Sequence, residues 1–229
     1  MSVLYVVPTP IGNLEDITLR ALRILKEADF ILAEDTRTTG QLLKHYEISN
    51  QLIAYHIHNE HKTVERIIDQ IKAAGSAAIV SDAGTPSISD PGFLLVRACI
   101  ENEINVVCLP GPSAIIPAIV GSGFPCDSFI FEGFLPHKKG RQTKWKTIAD
   151  ESRSVVLYES PHRLVKALKE MVEYLEPNRQ VCVAREISKM YETFHRGTAE
   201  ELLAYFEETP PKGEIVIVIS AKTKEKKND

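Results

Sequence analysis

Four short segments carry more backbone and side-chain chemistry than a turn requires: PTPIGN at 8–13, EDTR at 34–37, SDAGTPSISDPG at 81–92 and PGPSA at 110–114. Proline and glycine in such loops bring N–H and C=O groups close to a ligand, which suits a neutral or zwitterionic small molecule. Neither the GxGxxG fingerprint nor the P-loop pattern occurs, so a nucleoside triphosphate is a weaker expectation. In PGPSA, Gly111 permits close approach, and Ser113 is placed to cap a helix whose free N–H groups would receive a carboxylate. In SDAGTPSISDPG only Asp82 to Pro86 calls for a functional explanation. Asp90-Pro91-Gly92 reads as the start of the next helix, with Asp90 as cap and Pro91 at its first position.

Two further clusters have an ordinary reading beside a functional one. HKKGRQTKWK at 137–146 gathers Lys138, Lys139, Arg141, Lys144 and Lys146 around Trp145. Cations beside an aromatic residue suit RNA, where phosphates supply affinity and stacking catches an unpaired base; a solvated helix face with Trp145 packed inward accounts for the same residues. His56, His58 and His61 form HxHxxH, which fits no standard zinc spacing, so no metal is expected. His58, Asn59 and Glu60 are better suited to lining a substrate or bonding a loop.

These segments must be held by the elements around them. Apolar, β-branched runs recur at 3–7, 30–33, 52–55, 77–80 and 105–109, and helical spacing fills the gaps, as in Leu19, Leu22, Leu25 and in Val64, Ile67, Ile68, Ile71. This alternation predicts an α/β fold with a largely parallel sheet, and open sheets of that kind bind ligands at the carboxyl ends of their strands. After Pro110-Gly111-Pro112 the pattern resumes, with strands expected at 129–131, 154–158, 180–184 and 214–219. The sequence therefore divides into an N-terminal domain at 1–112, a C-terminal domain at 113–221 and a charged tail at 222–229.

Composition narrows the class. In 229 residues, 44% hydrophobic and 25% charged, there is enough material for a substantial core in one large or two small domains. A net charge of −4 argues against coating nucleic acid through bulk charge, while leaving room for a local basic patch. Cys99, Cys108, Cys126 and Cys182 form no CxxC pair and read as reduced thiols of a cytosolic protein. The N-terminus lacks the basic and apolar regions of a signal peptide, and no apolar run is long enough to span a bilayer, so the expected location is the cytoplasm.

Taken in order, VPTPIGNLEDIT (7–18), AEDTR (33–37), HIHNE (56–60), VSDAGTPSISDPG (80–92), LPGPSA (109–114), FEGFLP (131–136), YESPHRL (158–164) and AREISK (184–189) resemble the ribosomal RNA small subunit methyltransferase I family of the tetrapyrrole methylase superfamily. The resemblance runs from about residue 3 to 219. It implies two α/β domains of the tetrapyrrole methylase type, S-adenosylmethionine in the interdomain cleft, a homodimer, and methylation of a cytidine ribose 2′-hydroxyl in the decoding region of 16S ribosomal RNA, with the assembled small subunit as the expected partner. Tetrapyrrole methylases carry a glycine-rich first loop where this chain has PTPIGN, which favours the RNA branch. A methyltransferase of tetrapyrroles or other metabolites, and a noncatalytic ribosome-binding factor, are the alternatives.

By the same resemblance, the methionine part of the cofactor lies against Asp82, Gly84 and Thr85, with Pro10, Ser113 and Ala114 from neighbouring loops. The adenosine side meets the second half near Phe134, Leu135, Tyr158, Ala184, Arg185 and the segment 211–215, which includes Gly213. Arg37, His58, Lys138, Lys139, Arg141 and Arg163 are the expected substrate contacts. Methyl transfer relies chiefly on alignment and exclusion of water, and a base to take the hydroxyl proton would assist. Asp35, Glu60, Glu159 and Glu186 are candidates, Asp35 and Glu159 foremost. Each also has a structural reading as an ion pair: Asp35 with Arg37, Glu159 with Arg163, Glu186 with Arg185 or Lys189.

Overall fold

The computed structural model describes residues 2–222, so of the charged tail only Lys222 lies within the described residues. The chain divides into two compact units, one ending at Ser113 and the other starting at Ala114.

The first unit runs β1 (Val3–Val6), α1 (Leu19–Glu27), β2 (Ile31–Ala33), α2 (Thr36–His45), β3 (Leu52–Ala54), α3 (Glu60–Ala74), β4 (Ser76–Val80), α4 (Phe93–Glu101) and β5 (Asn105–Cys108). Its sheet is wholly parallel in the order β3-β2-β4-β1-β5. The three central strands read as unbroken apolar runs because both of their faces are covered. Leu4, Val6, Leu32, Ala77 and Ile79 point to the layer with Ile67 and Ile71 of α3 and Leu95 of α4. The alternate residues Ile31, Ala33, Ala78 and Val80 point to the layer with Ile24 and Leu25 of α1 and Leu43 of α2. The helix following β4 thus leaves on the face opposite to the helices following its neighbours, β1 and β2. That reversal opens crevices on both sides of the carboxyl end of β4, where an open α/β sheet binds its ligand.

The second unit runs α5 (Ile115–Ser122), β6 (Phe129–Phe134), α6 (Arg141–Asp150), β7 (Ser154–Glu159), α7 (Pro161–Tyr174), β8 (Gln180–Arg185), β9 (Thr193–Thr198), α8 (Ala199–Glu208) and β10 (Ile215–Ile219). Its sheet, in the order β6-β7-β10-β8-β9, departs from the parallel expectation: only β6 and β7 are parallel, and the other three pairings are antiparallel. β9 was not expected at all, because TFHRGT is a polar edge strand lacking the apolar run that marks its neighbours. One face packs Val155, Leu157, Val183 and Ile217 against Trp145, Leu164, Leu168 and Phe206. Against this sheet α5 also packs, held in part by the Arg196 guanidinium of β9, which donates to the carbonyls of Gly121 and Ser122.

Two expected helix starts are corrected. The cap of α4 is Gly92, at φ 139° and with no side-chain cap bond, so Asp90 is not the cap and Pro91 is not the first helical residue. A Cβ at Gly92 would lie 2.5 Å from Ser87 Oγ, so the turn closes too tightly there for any side chain. Likewise α5 is preceded by Ala114 in helical conformation with no side-chain cap, so Ser113 is not its cap.

Candidate active site

In the first unit the four loops are bonded to one another at the carboxyl edge of the sheet. Thr9 and Gly84 exchange both backbone hydrogen bonds at 2.9 Å, and Thr9 Oγ1 donates to the Ser81 carbonyl at 3.0 Å. Gly84 adopts φ +80°, a left-handed conformation that glycine takes without a Cβ penalty. Thr85 Oγ1 donates to the Pro112 carbonyl at 3.2 Å, and a Cβ on Gly111 would come within 2.8 Å of the Pro8 ring. On the other side of β4, the Asp35 N–H donates to Asp82 Oδ1 at 3.2 Å and the Asp82 N–H to Glu34 Oε2 at 3.4 Å. Pro10, Asp35, Arg37, Asp82, Gly84, Thr85 and Ser113 thus share one sheet edge. His58, exposed in the turn after β3, belongs to the same edge, where Asn59 accepts from the His56 N–H and donates to the Ala54 carbonyl.

This edge is acidic. Burial raises the Asp90 carboxyl to about 6, the charges of Glu34 and Asp82 add to the rise, and a bond with Ser81 opposes it. Burial also raises Glu34 and Asp82, in each case against a backbone N–H that pulls the other way. Carboxylates pressed together out of water favour a cation among them. Asp35 behaves oppositely: its bonds from the Arg37 side chain and backbone hold it down at about 2. Its carboxylate caps α2 and pairs with Arg37 at 2.7 Å. A carboxylate so engaged is a poor proton acceptor. Glu34 was not singled out in the sequence and Asp90 was read only as a helix cap, because their approach to each other is set by the pairing of β2 with β4.

In the second unit the carboxyl ends of β6, β7 and β8 meet the starts of β9 and β10 along one edge, because Ile215 is paired with both Glu159 and Arg185, and Arg185 with Thr193. Leu135, Tyr158, Ala184 and Gly213 all fall on this edge. The side chains of Leu135 and Ala184 are buried in the unit, leaving their backbone for any ligand. Gly213, at φ +85°, packs on Glu186, whose Oε1 accepts from the Glu214 N–H at 2.8 Å and pairs with Lys189 at 2.9 Å.

Glu159 sits at the end of β7, only 4% exposed, between Arg163 at 2.7 Å and Arg141 at 3.6 Å, with the Ser160 N–H donating to it at 2.8 Å. Arg141 was expected on the substrate side. It is instead buried, its Nε bonded to both oxygens of Glu170 and its Nη1 to the Pro136 carbonyl. Trp145 is fully buried and donates to Glu170 at 2.9 Å, so it cannot stack on a base. Lys144 pairs with Glu132, whereas Lys138, Lys139 and Lys146 are exposed. Among the described residues no group of three His, Cys, Asp or Glu is placed to hold a metal ion, and no helix is long and apolar enough to cross a membrane.

Comparisons with known proteins place this two-unit α/β chain, with its interlinked loops at the switch point of a parallel sheet, in a methylase class. The family model described as Tetrapyrrole (Corrin/Porphyrin) Methylases matches residues 3–203. A solved structure titled Uroporphyrin-III C-methyl transferase from Thermus thermophilus, complexed with S-adenyl homocysteine, shares the fold with a TM-score of 0.66 at 18% identity, covering 95% of this chain and 96% of its own. Two similar relatives bear the name Ribosomal RNA small subunit methyltransferase I. That of Synechocystis sp. is 47% identical over 98% of this chain and 81% of its own length. That of Thermotoga maritima is 47% identical over 97% of this chain and 100% of its own. Within the methylase class, the chain belongs to the ribosomal RNA small subunit methyltransferase I family.

Proposed function

We propose that this chain is an S-adenosylmethionine-dependent methyltransferase that places a methyl group on the ribose 2′-hydroxyl of a cytidine in the decoding region of small-subunit ribosomal RNA. The observation that carries this reading is the 47% identity to ribosomal RNA small subunit methyltransferase I relatives over nearly the whole chain. In this reading the protein acts in the cytoplasm as a homodimer, on the assembled subunit.

The residues of the first unit fit the cofactor. S-adenosylmethionine, when bound, supplies an electrophilic methyl on a sulfonium and carries net positive charge. Gly84 and Gly111 let the loops close on one another, since a Cβ on them would meet Ile11 and Pro8, and Glu34, Asp82 and Asp90 form an acidic lining suited to a cation. Pro10, Thr85, Ser113 and Ala114 complete the methionine side. Tyr158 and the backbone of Leu135, Ala184 and Gly213 are assigned to the adenosine.

The rest of the activity is alignment. Loops tied by Thr9, Gly84 and Thr85 stay in place during reaction and lose no further entropy at the transition state. Asp35 orients Arg37 toward the substrate rather than accepting a proton, and Glu159 positions Arg163. Lys138 and Lys139 meet phosphates through charge, with His58 on the substrate side. Asp90, raised to about 6, is the carboxylate of the first edge assigned to accept the hydroxyl proton.

The test is transfer of tritiated methyl to small subunits and to naked ribosomal RNA from a strain lacking the enzyme. The expected product is a single alkali-resistant 2′-O-methylcytidine. Label on a base, or none on subunits or RNA, would refute the reading.

A further inference from the structure

We propose that Phe134 is a stacking platform for an unpaired base of the RNA substrate, with Arg163 beside its ring and Lys138 and Lys139 taking the flanking phosphates. The proposal rests on the methyltransferase reading and reassigns Phe134 from the cofactor to the substrate.

Phe134 is the last residue of β6 and is 53% exposed, although Gly133 before it and Leu135 after it are buried. The cause is local. The register between β6 and β7 shifts between Phe131 and Gly133, and Gly133 takes φ +62°. A bulge of this kind re-aims a side chain, here turning a large aromatic ring into solvent at the functional edge of the sheet.

The ring is supported from beneath and from the side. Tyr158 of β7 lies 5.5 Å from it, and Phe131 lies 5.0 Å from Tyr158. The Arg163 guanidinium stands 6.0 Å from the ring centroid and is pinned by the buried Glu159 at 2.7 Å. It also meets the His137 ring nitrogens at 3.0 and 3.2 Å. Glu159 is itself fixed by Arg141 and by the Ser160 N–H. A buried carboxylate thus holds a cation over an exposed ring, so the platform forms before the ligand arrives.

Charge selects the occupant. Arg141 and Arg163 together balance Glu159 and Glu170, which leaves as surplus the exposed Lys138 and Lys139, a few positions after Phe134 in the chain. A positive patch next to an aromatic face suits a nucleotide with phosphates on either side. S-adenosylmethionine has no phosphate and is itself cationic, and the acidic edge of the first unit suits it better. The adenine of the cofactor offers the same stacking chemistry, so the test must separate the two bases.

Phe134→Ala, Phe134→Leu and Phe134→Trp are compared with the wild type in the full chain. Three measurements are made: affinity for unmethylated small subunits, S-adenosylhomocysteine affinity by calorimetry, and sedimentation. Stacking is worth enough that Ala and Leu should weaken subunit binding about 5- to 150-fold, while Trp restores it. S-adenosylhomocysteine affinity should hold within about two-fold and sedimentation should not change. A loss confined to S-adenosylhomocysteine would give the ring to adenine and overturn the proposal. Full binding by the Leu variant, a change of oligomeric state that accounts for the loss, or no effect in any variant would overturn it equally. If the wild type neither binds nor methylates subunits, the functional reading falls and this inference with it; if the wild type is active and the variants match it, only the inference falls.

Discussion

Replacing Asp90 by Asn should stabilise the cofactor-free protein and weaken its grip on a cationic ligand. The Asp90 carboxyl is raised from 3.8 to about 6 by burial and by the charges of Glu34 and Asp82. Because the folded value lies above the unfolded one, folding favours the protonated form. The stability this provides is complete below pH 3.8 and is lost as pH rises through about 6. The full gap corresponds to about 3 kcal/mol. The group is only half-buried, so solvent screening reduces the cost of its charge at neutral pH to about 1–2 kcal/mol. Asn keeps the shape and carries no charge. For a chain of this length, Tm at pH 8 should rise by about 2–8 °C, with about half that gain at pH 5. Thermal unfolding at the two pH values measures this. Calorimetry of the same variant should show S-adenosylmethionine losing about ten-fold in affinity while S-adenosylhomocysteine, a zwitterion without the sulfonium charge, changes far less. A gain independent of pH, a loss of stability at pH 8, or an equal loss for both ligands would refute the argument that this edge is strained by its own charge and relieved by a cation.

Gly111→Ala would drive a methyl group to 2.8 Å from Pro8 Cβ, a rigid ring, and push two cofactor loops apart; calorimetry should show S-adenosylhomocysteine affinity falling about ten-fold or more. Glu170→Ala leaves the buried Arg141 and the Trp145 N–H without their main partner and should cost about 3–5 kcal/mol in denaturant unfolding. Charge reversal at Lys138 and Lys139 should weaken subunit binding and flatten its dependence on salt by about one logarithmic step per phosphate lost, as filter binding over a salt series would reveal. Asp35→Asn retains the helix cap but loosens Arg37, so it should weaken subunit binding while leaving the single-turnover methyl transfer rate at saturating subunits unchanged, since a carboxyl held at about 2 is already unfit as a base. A large rate loss would return Asp35 to the chemistry.

Much of the fold was legible because its signals are local. Strands buried on both faces must be apolar at every position, so β2 (Ile31–Ala33) and β4 (Ser76–Val80) stand out in the sequence as short unbroken apolar runs. The Pro-Gly-Pro segment at 110–112 lies just before the division of the compact units between Ser113 and Ala114. Proline and glycine also announce the four loops, since their conformations are set by residue type. The strand that escaped, β9, is polar and at an edge, and its pairing with β8 is decided by a partner that its own composition does not reveal. The antiparallel run of the second sheet is hidden for the same reason: strand direction depends on connections, not on hydropathy.

At the site, the order of residues sets which chemical groups are available and lets glycine and proline shape the loops they occupy. Tertiary structure alone decided what each side chain does. Arg141 looked like an RNA contact and became the buried partner of Glu170, because α7 brings that carboxylate to it from 29 positions away. Asp90 looked like a helix cap and became part of an acidic edge, because its own loop folds back toward Asp82 and the end of β2 brings Glu34 to it. A charge has its partners, its solvent and its proton affinity assigned by whatever the fold places within a few ångströms of it. Glu170 and Glu34 are distant in the chain from the charges they act on, so the roles of Arg141 and Asp90 were settled only once the sheets had formed.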